Sequence, residues 1–98
     1  METSMNREGN KLTVAITGRL DTLSSPDFEK EMEPAIQGIT DLVIDLKNLD
    51  YISSAGLRVL LGLAQTMEDQ GKMVVTNPND AVMDVFSVTG FDDILTIE

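Results

Sequence analysis

Asp50-Tyr51-Ile52-Ser53-Ser54-Ala55-Gly56-Leu57-Arg58 joins two patterns of different period. Before it, Leu42-Val43-Ile44-Asp45-Leu46 reads as a buried strand. After it, apolar positions at helical spacing open at Leu57 and continue past Leu61. Two serines, an alanine and a glycine therefore sit at the first turn of a helix, on the side where strands end. A helix N-terminus offers unpaired N–H groups and the positive end of the helix dipole, which suits phosphate or another anion. Small residues at that turn also let another protein's backbone come close.

Outward from this junction the chain alternates strands and helices. Lys11-Leu12-Thr13-Val14-Ala15-Ile16-Thr17 alternates polar and apolar positions as a half-buried strand does. Glu8-Gly9-Asn10 before it reads as a turn, which makes residues from about Glu2 to Arg7 an antiparallel edge strand. Ser25 with Pro26 reads as an N-cap and first helical residue. The helix they open carries Phe28, Met32, Ala35 and Ile36 on one face and ends by Gly38. Pro34 predicts a bend or an early end near Met32.

A strand over Asp41–Lys47, a helix from Leu57 to about Gln70 ended by Gly71, and a short strand at Met73–Thr76 follow. Asn77-Pro78-Asn79-Asp80 predicts a helix start with Asn77 as cap and Pro78 at the first position. That helix buries Val82, Val85 and Phe86 and stops at Gly90, and Ile94–Ile97 reads as a last strand. Strands alternating with helices predict right-handed crossovers and an α/β fold with a mainly parallel sheet. Ligands and partners of such sheets gather at the carboxyl ends of the strands. Asp21-Thr22 and Ser53-Ser54 should both lie there, facing the same solvent.

Composition narrows the function classes. A chain of 98 residues, 42% apolar and 24% charged, is one ordinary globular domain, taken as residues 1–98. It has no cysteine, so disulfide, thiolate-metal and thiol redox chemistry are excluded, and no histidine, the usual general base and metal ligand. No metal or cofactor site is read. The first residues lack the basic and apolar regions of a signal peptide, and no apolar run approaches the roughly 20 residues of a membrane span. A cytoplasmic protein is expected. The net charge is −10, and the seven basic residues are scattered, which argues against nucleic acid and for a neutral or basic partner surface. Val59 and Leu63 broaden the apolar face of the helix after Leu57, an excess that could serve as partner surface.

Enzyme readings fail on inventory. Ser54 sits at a strand-to-helix turn, but a nucleophile elbow needs glycine two positions earlier, where Ile52 stands. Without histidine a triad would need a lysine such as Lys47, which nothing places nearby. Asp92-Asp93 and Asp80…Asp84 lack calcium-loop spacing. Taken alone, Ser53, Ser54 and Asp21 read first as capping and turn residues, and a capping serine stabilises by about 1 kcal/mol with no function required.

These residues together resemble a known family. Asp45-Leu46, Leu49, Tyr51-Ile52-Ser53-Ser54-Ala55-Gly56-Leu57 and the apolar helix after them resemble the STAS domain of bacterial anti-sigma factor antagonists. Gly18-Arg19-Leu20-Asp21 resembles the family's second marker, a loop before the first helix. The resemblance implies a mixed sheet with an N-terminal antiparallel edge strand. Many members add a C-terminal helix, which is not expected here because the sequence stops at Glu98.

The resemblance also implies a mechanism. Ser54 falls on the serine phosphorylated by a partner kinase that is itself the anti-sigma factor, an ATP-dependent protein of the histidine-kinase-like superfamily. The unphosphorylated form sequesters that kinase and frees a sigma factor; a PP2C-type phosphatase resets the system. Many members carry aspartate where Ser53 stands, so Ser53 remains the second candidate phosphoacceptor. Asp21 falls on the loop aspartate near the site, and Thr22, Ala55, Gly56, Leu57 and Arg58 complete the expected partner contact. The alternative is a constitutive STAS binding module of a transporter or signalling assembly, in which Ser54 is only a cap.

Overall fold

The computed structural model describes residues 1–98. Its elements run in the order β1 Glu2–Glu8, β2 Lys11–Leu20, α1 Ser25–Ala35, β3 Asp41–Ile52, α2 Ser54–Gln70, β4 Lys72–Thr76 and α3 Asp80–Thr89, followed by a 3-10 turn at Phe91–Asp93. The four strands form one sheet in the order β1-β2-β3-β4. β1 pairs antiparallel with β2, whereas β2–β3 and β3–β4 are parallel. This is the mixed α/β sheet with an antiparallel edge that the alternation of patterns implies. Successive right-handed crossovers that step the same way across a sheet place their helices on one face.

The core follows from that arrangement. Leu12, Val14 and Ile16 of β2 and Leu42, Ile44 and Leu46 of β3 point to the helices and are buried. They join Phe28 and Met32 of α1, Leu57, Leu60 and Met67 of α2, and Val82 and Phe86 of α3 in a single cluster. Val59 and Leu63 are only 8% and 7% exposed and belong to this core, so neither offers partner surface. The residues α2 turns outward on either side of them include Arg58, Gly62, Gln65 and Thr66.

Several boundaries differ from the sequence reading. β3 runs on to Ile52, past Lys47, because register shifts between Ala15 and Thr17 and between Gly18 and Arg19 let the two strands stay paired after the alternation breaks. Helix α1 continues through Pro34 to Ala35. Proline in the last turn forfeits a single ladder bond, and the Ile36 N–H still reaches the Met32 carbonyl at 3.0 Å.

Asn79, not Asn77, caps α3: its Oδ1 accepts from the Val82 N–H at 2.8 Å, while its Nδ2 donates to the Leu49 carbonyl at 2.9 Å. Asn77 instead adopts a left-handed φ of 56° and donates from Nδ2 to Asp45 Oδ1 at 3.1 Å. Val85 is half-buried against the core, below the burial expected of it. The last strand shrinks to one parallel bridge, Val75 to Ile97, with the 3-10 turn taking up the residues before it.

Candidate functional site

Two loops meet where β2 and β3 end. The Ser53 N–H donates to the Leu20 carbonyl at 2.9 Å, which fixes the start of α2 against the start of the loop that leads to α1.

In the first loop, Asp21 organises the chain. Its Oδ1 accepts from the N–H groups of Leu23 and Ser24, both at 3.0 Å, and its own N–H donates to Ser24 Oγ at 2.9 Å. Ser24 Oγ also lies 2.9 Å from the Arg19 carbonyl and 3.1 Å from Asp21 Oδ1, either of which can take its single hydrogen. These bonds hold the Asp21 carboxyl below the usual aspartate range, the Ser24 N–H contributing most; partial desolvation opposes them, and Arg19 adds a small charge effect. The cap expected at Ser25 is thereby replaced: the chain turns on Asp21 and Ser24, and Ser25 becomes the first helical residue. Ser25 is buried, and its hydroxyl has no hydrogen-bond partner.

In the second loop the two serines divide their roles. Ser53 is extended (φ −95°, ψ 175°), and its Oγ accepts from the Gly56 N–H at 3.4 Å as the N-cap of α2. Ser54 is the first helical residue, three positions earlier than the hydrophobic spacing implies. It is exposed, and its hydroxyl takes part in none of the hydrogen bonds of the chain. No acidic residue occupies the first turn of α2, so the positive end of the helix is uncompensated there.

The other expected contact residues separate into two groups. Thr22 and Arg58 are exposed, and Asp21, Ser53 and Ala55 are half-buried, so all five reach the surface with Ser54. Gly56 and Leu57 do not: Gly56 is buried and Leu57 is 4% exposed. A Cβ on Gly56 would lie 2.8 Å from Ile52 Cγ1 and from the Leu20 carbonyl oxygen, and 3.0 Å from Leu20 Cγ. Glycine at 56 therefore serves the chain's own packing of α2 onto the strand ends, rather than the approach of a partner.

Two surface features escape the sequence reading. Leu23 is 86% exposed at the tip of the Asp21 turn, and Arg19 stacks over Tyr51 with its guanidinium 4.5 Å from the ring centroid while approaching Asp21 Oδ2 at 3.8 Å. The legible signal for Leu23 was its place between a strand end and a helix cap, where the chain has left the core. The Arg19–Tyr51 pair depends on the two register shifts and had no local signal.

The site is a surface and not a cleft. Grooves of about 220 Å³ flank α2 on both sides, one against residues 94–96 and the other against α1, and neither includes Asp21, Ser53 or Ser54. No three carboxylates come together as metal ligands. No helix is long and apolar enough to cross a membrane. The two loops form an open surface on which the hydroxyl of Ser54, like that of Thr22, is exposed and unengaged.

Known proteins share this layout. BtrV of Bordetella bronchiseptica, a putative anti-sigma factor antagonist by name, is 32% identical over 99 residues, covering 99% of this chain and 85% of that protein. The anti-sigma-B factor antagonist of Bacillus subtilis is 32% identical over 89 residues, 90% of this chain and 82% of its own. Among solved structures, unphosphorylated SpoIIAA, an anti-sigma factor antagonist, superposes with a TM-score of 0.85 over 99% of this chain and 88% of that one, at 19% identity, a likeness of fold. The STAS domain model matches residues 2–98. With the mixed sheet, the loop turning on Asp21 and the serine pair opening α2 all in place, the chain belongs to the STAS domain family.

Proposed function

We propose that this protein is an anti-sigma factor antagonist that binds an anti-sigma factor through the surface around Ser54 and releases it when Ser54 is phosphorylated. The observation that carries the reading is the division of labour between the serines. Ser53 caps α2, so Ser54 has no structural duty, yet it stands exposed at the end of a helix whose dipole favours a phosphate. The constitutive-module alternative took Ser54 as a cap, and that role is filled by Ser53.

The partner is an anti-sigma factor with serine kinase activity, of the histidine-kinase-like ATPase superfamily, and a PP2C-type phosphatase reverses the reaction. The γ-phosphoryl group of ATP passes to Ser54 Oγ, ADP leaves, and the hydroxyl proton goes to a base of the kinase; water later hydrolyses the ester. A phosphoserine adds about −1.5 to −2 charges. Those charges join the loop carboxylate of Asp21 and the Asp50 side chain toward the end of β3, and the bulky, hydrated phosphate holds the partner's backbone off the small residues around Ser54 and repels any acidic or apolar group that would dock there.

The test is calorimetric titration of the cognate kinase with the wild type, Ser54→Ala and Ser54→Asp. The reading expects tight binding by the first two in the absence of ATP and loss of binding by Ser54→Asp. Equal binding by all three would refute it.

A further inference from the structure

All three crossover helices lie on one face of the sheet, and the other face is uncovered. Residues paired across neighbouring strands point the same way, so the register lists this open face row by row. At the amino-terminal end of β2 the row is Glu8, Lys11, Asp41, Lys72, one residue from each strand in order. Its signs alternate. The next row is Asn6, Thr13, Val43, Val74, and the one after it Ser4, Ala15, Asp45, Thr76. The middle of the face is thus mostly small or β-branched, with Asp45 its one carboxylate, and Thr13, Ala15, Val43 and Val74 are only partly exposed.

We infer that this face is a self-association surface, on which a second copy of the chain packs about a two-fold axis parallel to the strands and between β2 and β3. Such an axis reverses the strand order. Glu8 then faces the partner's Lys72, and Lys11 faces the partner's Asp41, each contact occurring twice. Every charge of the row meets its opposite. None of these four residues is spent on an ion pair within the chain, whose one pair is Arg19 with Asp21.

The rows behind the charges, with Thr13 opposite the partner's Val43, are flat enough for two sheets to approach at about 10 Å. With the row included, the face carries four carboxylates (Glu2, Glu8, Asp41, Asp45) against two lysines, a small part of the chain's net charge of −10.

Size sets the strength. Four strands about 4.8 Å apart and seven residues long at about 3.3 Å each give a face of roughly 450 Å². A pair would bury about 900 Å², under the roughly 1,200 Å² typical of stable complexes, so the dimer is weak and concentration-dependent. The axis leaves both Ser54 surfaces uncovered and at the same end of the dimer, so self-association does not compete with the proposed switch.

Sedimentation equilibrium over a wide concentration range tests this with Lys11→Glu and Asp41→Lys, with circular dichroism used to check that each variant keeps the wild-type fold. The wild type is expected to dimerise reversibly, and each variant alone to raise the dimer dissociation constant by about tenfold or more through two like-charge contacts. In an equimolar mixture, the two substituted side chains face each other with opposite signs at one contact, and the native Lys11 and Asp41 face each other at the second. The mixture is therefore expected to dimerise as the wild type does. A monomeric wild type, variants that dimerise unchanged, or a mixture that stays monomeric would each overturn the inference.

Discussion

Gly56→Ala is expected to destabilise the domain although alanine is the better helix former. The new methyl would meet Ile52 Cγ1 and the Leu20 carbonyl oxygen at 2.8 Å. One of these is backbone, held in place by the bond from Ser53, so the start of α2 must move away. Forcing a methylene-sized group into a packed core costs about 1–3 kcal/mol. The gain in helix propensity returns at most about 1 kcal/mol, and less in a first turn. The net loss is about 1–2 kcal/mol, which in a domain of this size lowers the thermal midpoint by roughly 5–15 °C.

Gly62→Ala supplies the control: the same substitution in the same helix, at an exposed position with nothing within 4 Å of the added Cβ. It is expected to gain about 0.5–1 kcal/mol. Urea unfolding followed by circular dichroism reads both changes, with an unchanged m-value confirming a common unfolded state. Gly56→Ala as stable as the wild type would refute the account of α2 as wedged onto the strand ends.

Ser54→Asp should leave the thermal midpoint within about 5 °C of the wild type, because an exposed charge at a helix N-terminus is favoured by a few tenths of a kcal/mol to about 1 kcal/mol; a large drop in calorimetry would mean that lost binding reflects unfolding. Ser25→Ala should stabilise the protein by about 1 kcal/mol, since it removes a buried hydroxyl without a partner. A loss of stability in the same melt would show that the hydroxyl is bonded after all. Asp21 has a folded pKa below its unfolded value of 3.8, so its carboxylate contributes stability that is complete above that value and is lost as pH falls through the folded one. The stability difference between wild type and Asp21→Asn should therefore be constant near neutrality and close in acid; a difference independent of pH down to full protonation would contradict this.

Four of the five expected strands, the helices and the meeting of the Asp21 and Ser53 loops at the strand ends were legible because they rest on periodicity and on small residues at one junction. Helix starts were less so. Ser25 and Asn77 have the right side chains for caps, but which of several neighbouring polar residues caps a helix depends on where the preceding strand releases the chain. Asp21 captures the turn before α1, and Asn77 is held by Asp45, leaving Asn79 to cap α3.

Gly56 and Leu57 were read as contact residues because they sit beside Ser54 in the chain. In space, a helix that starts on top of the sheet turns every third or fourth residue inward, and these two are on that side. The Arg19–Tyr51 stack comes from long-range register, which no local pattern carries.

A reversible switch at Ser54 leaves its record on the protein itself. The direct measurement is tandem mass spectrometry on the protein purified from its own cells in growth and under stress, reading the tryptic peptide Asn48–Arg58, which holds Tyr51, Ser53 and Ser54. The account expects phosphate on Ser54 with an occupancy that changes between conditions. An unmodified peptide in every condition, or phosphate confined to Ser53, would contradict it.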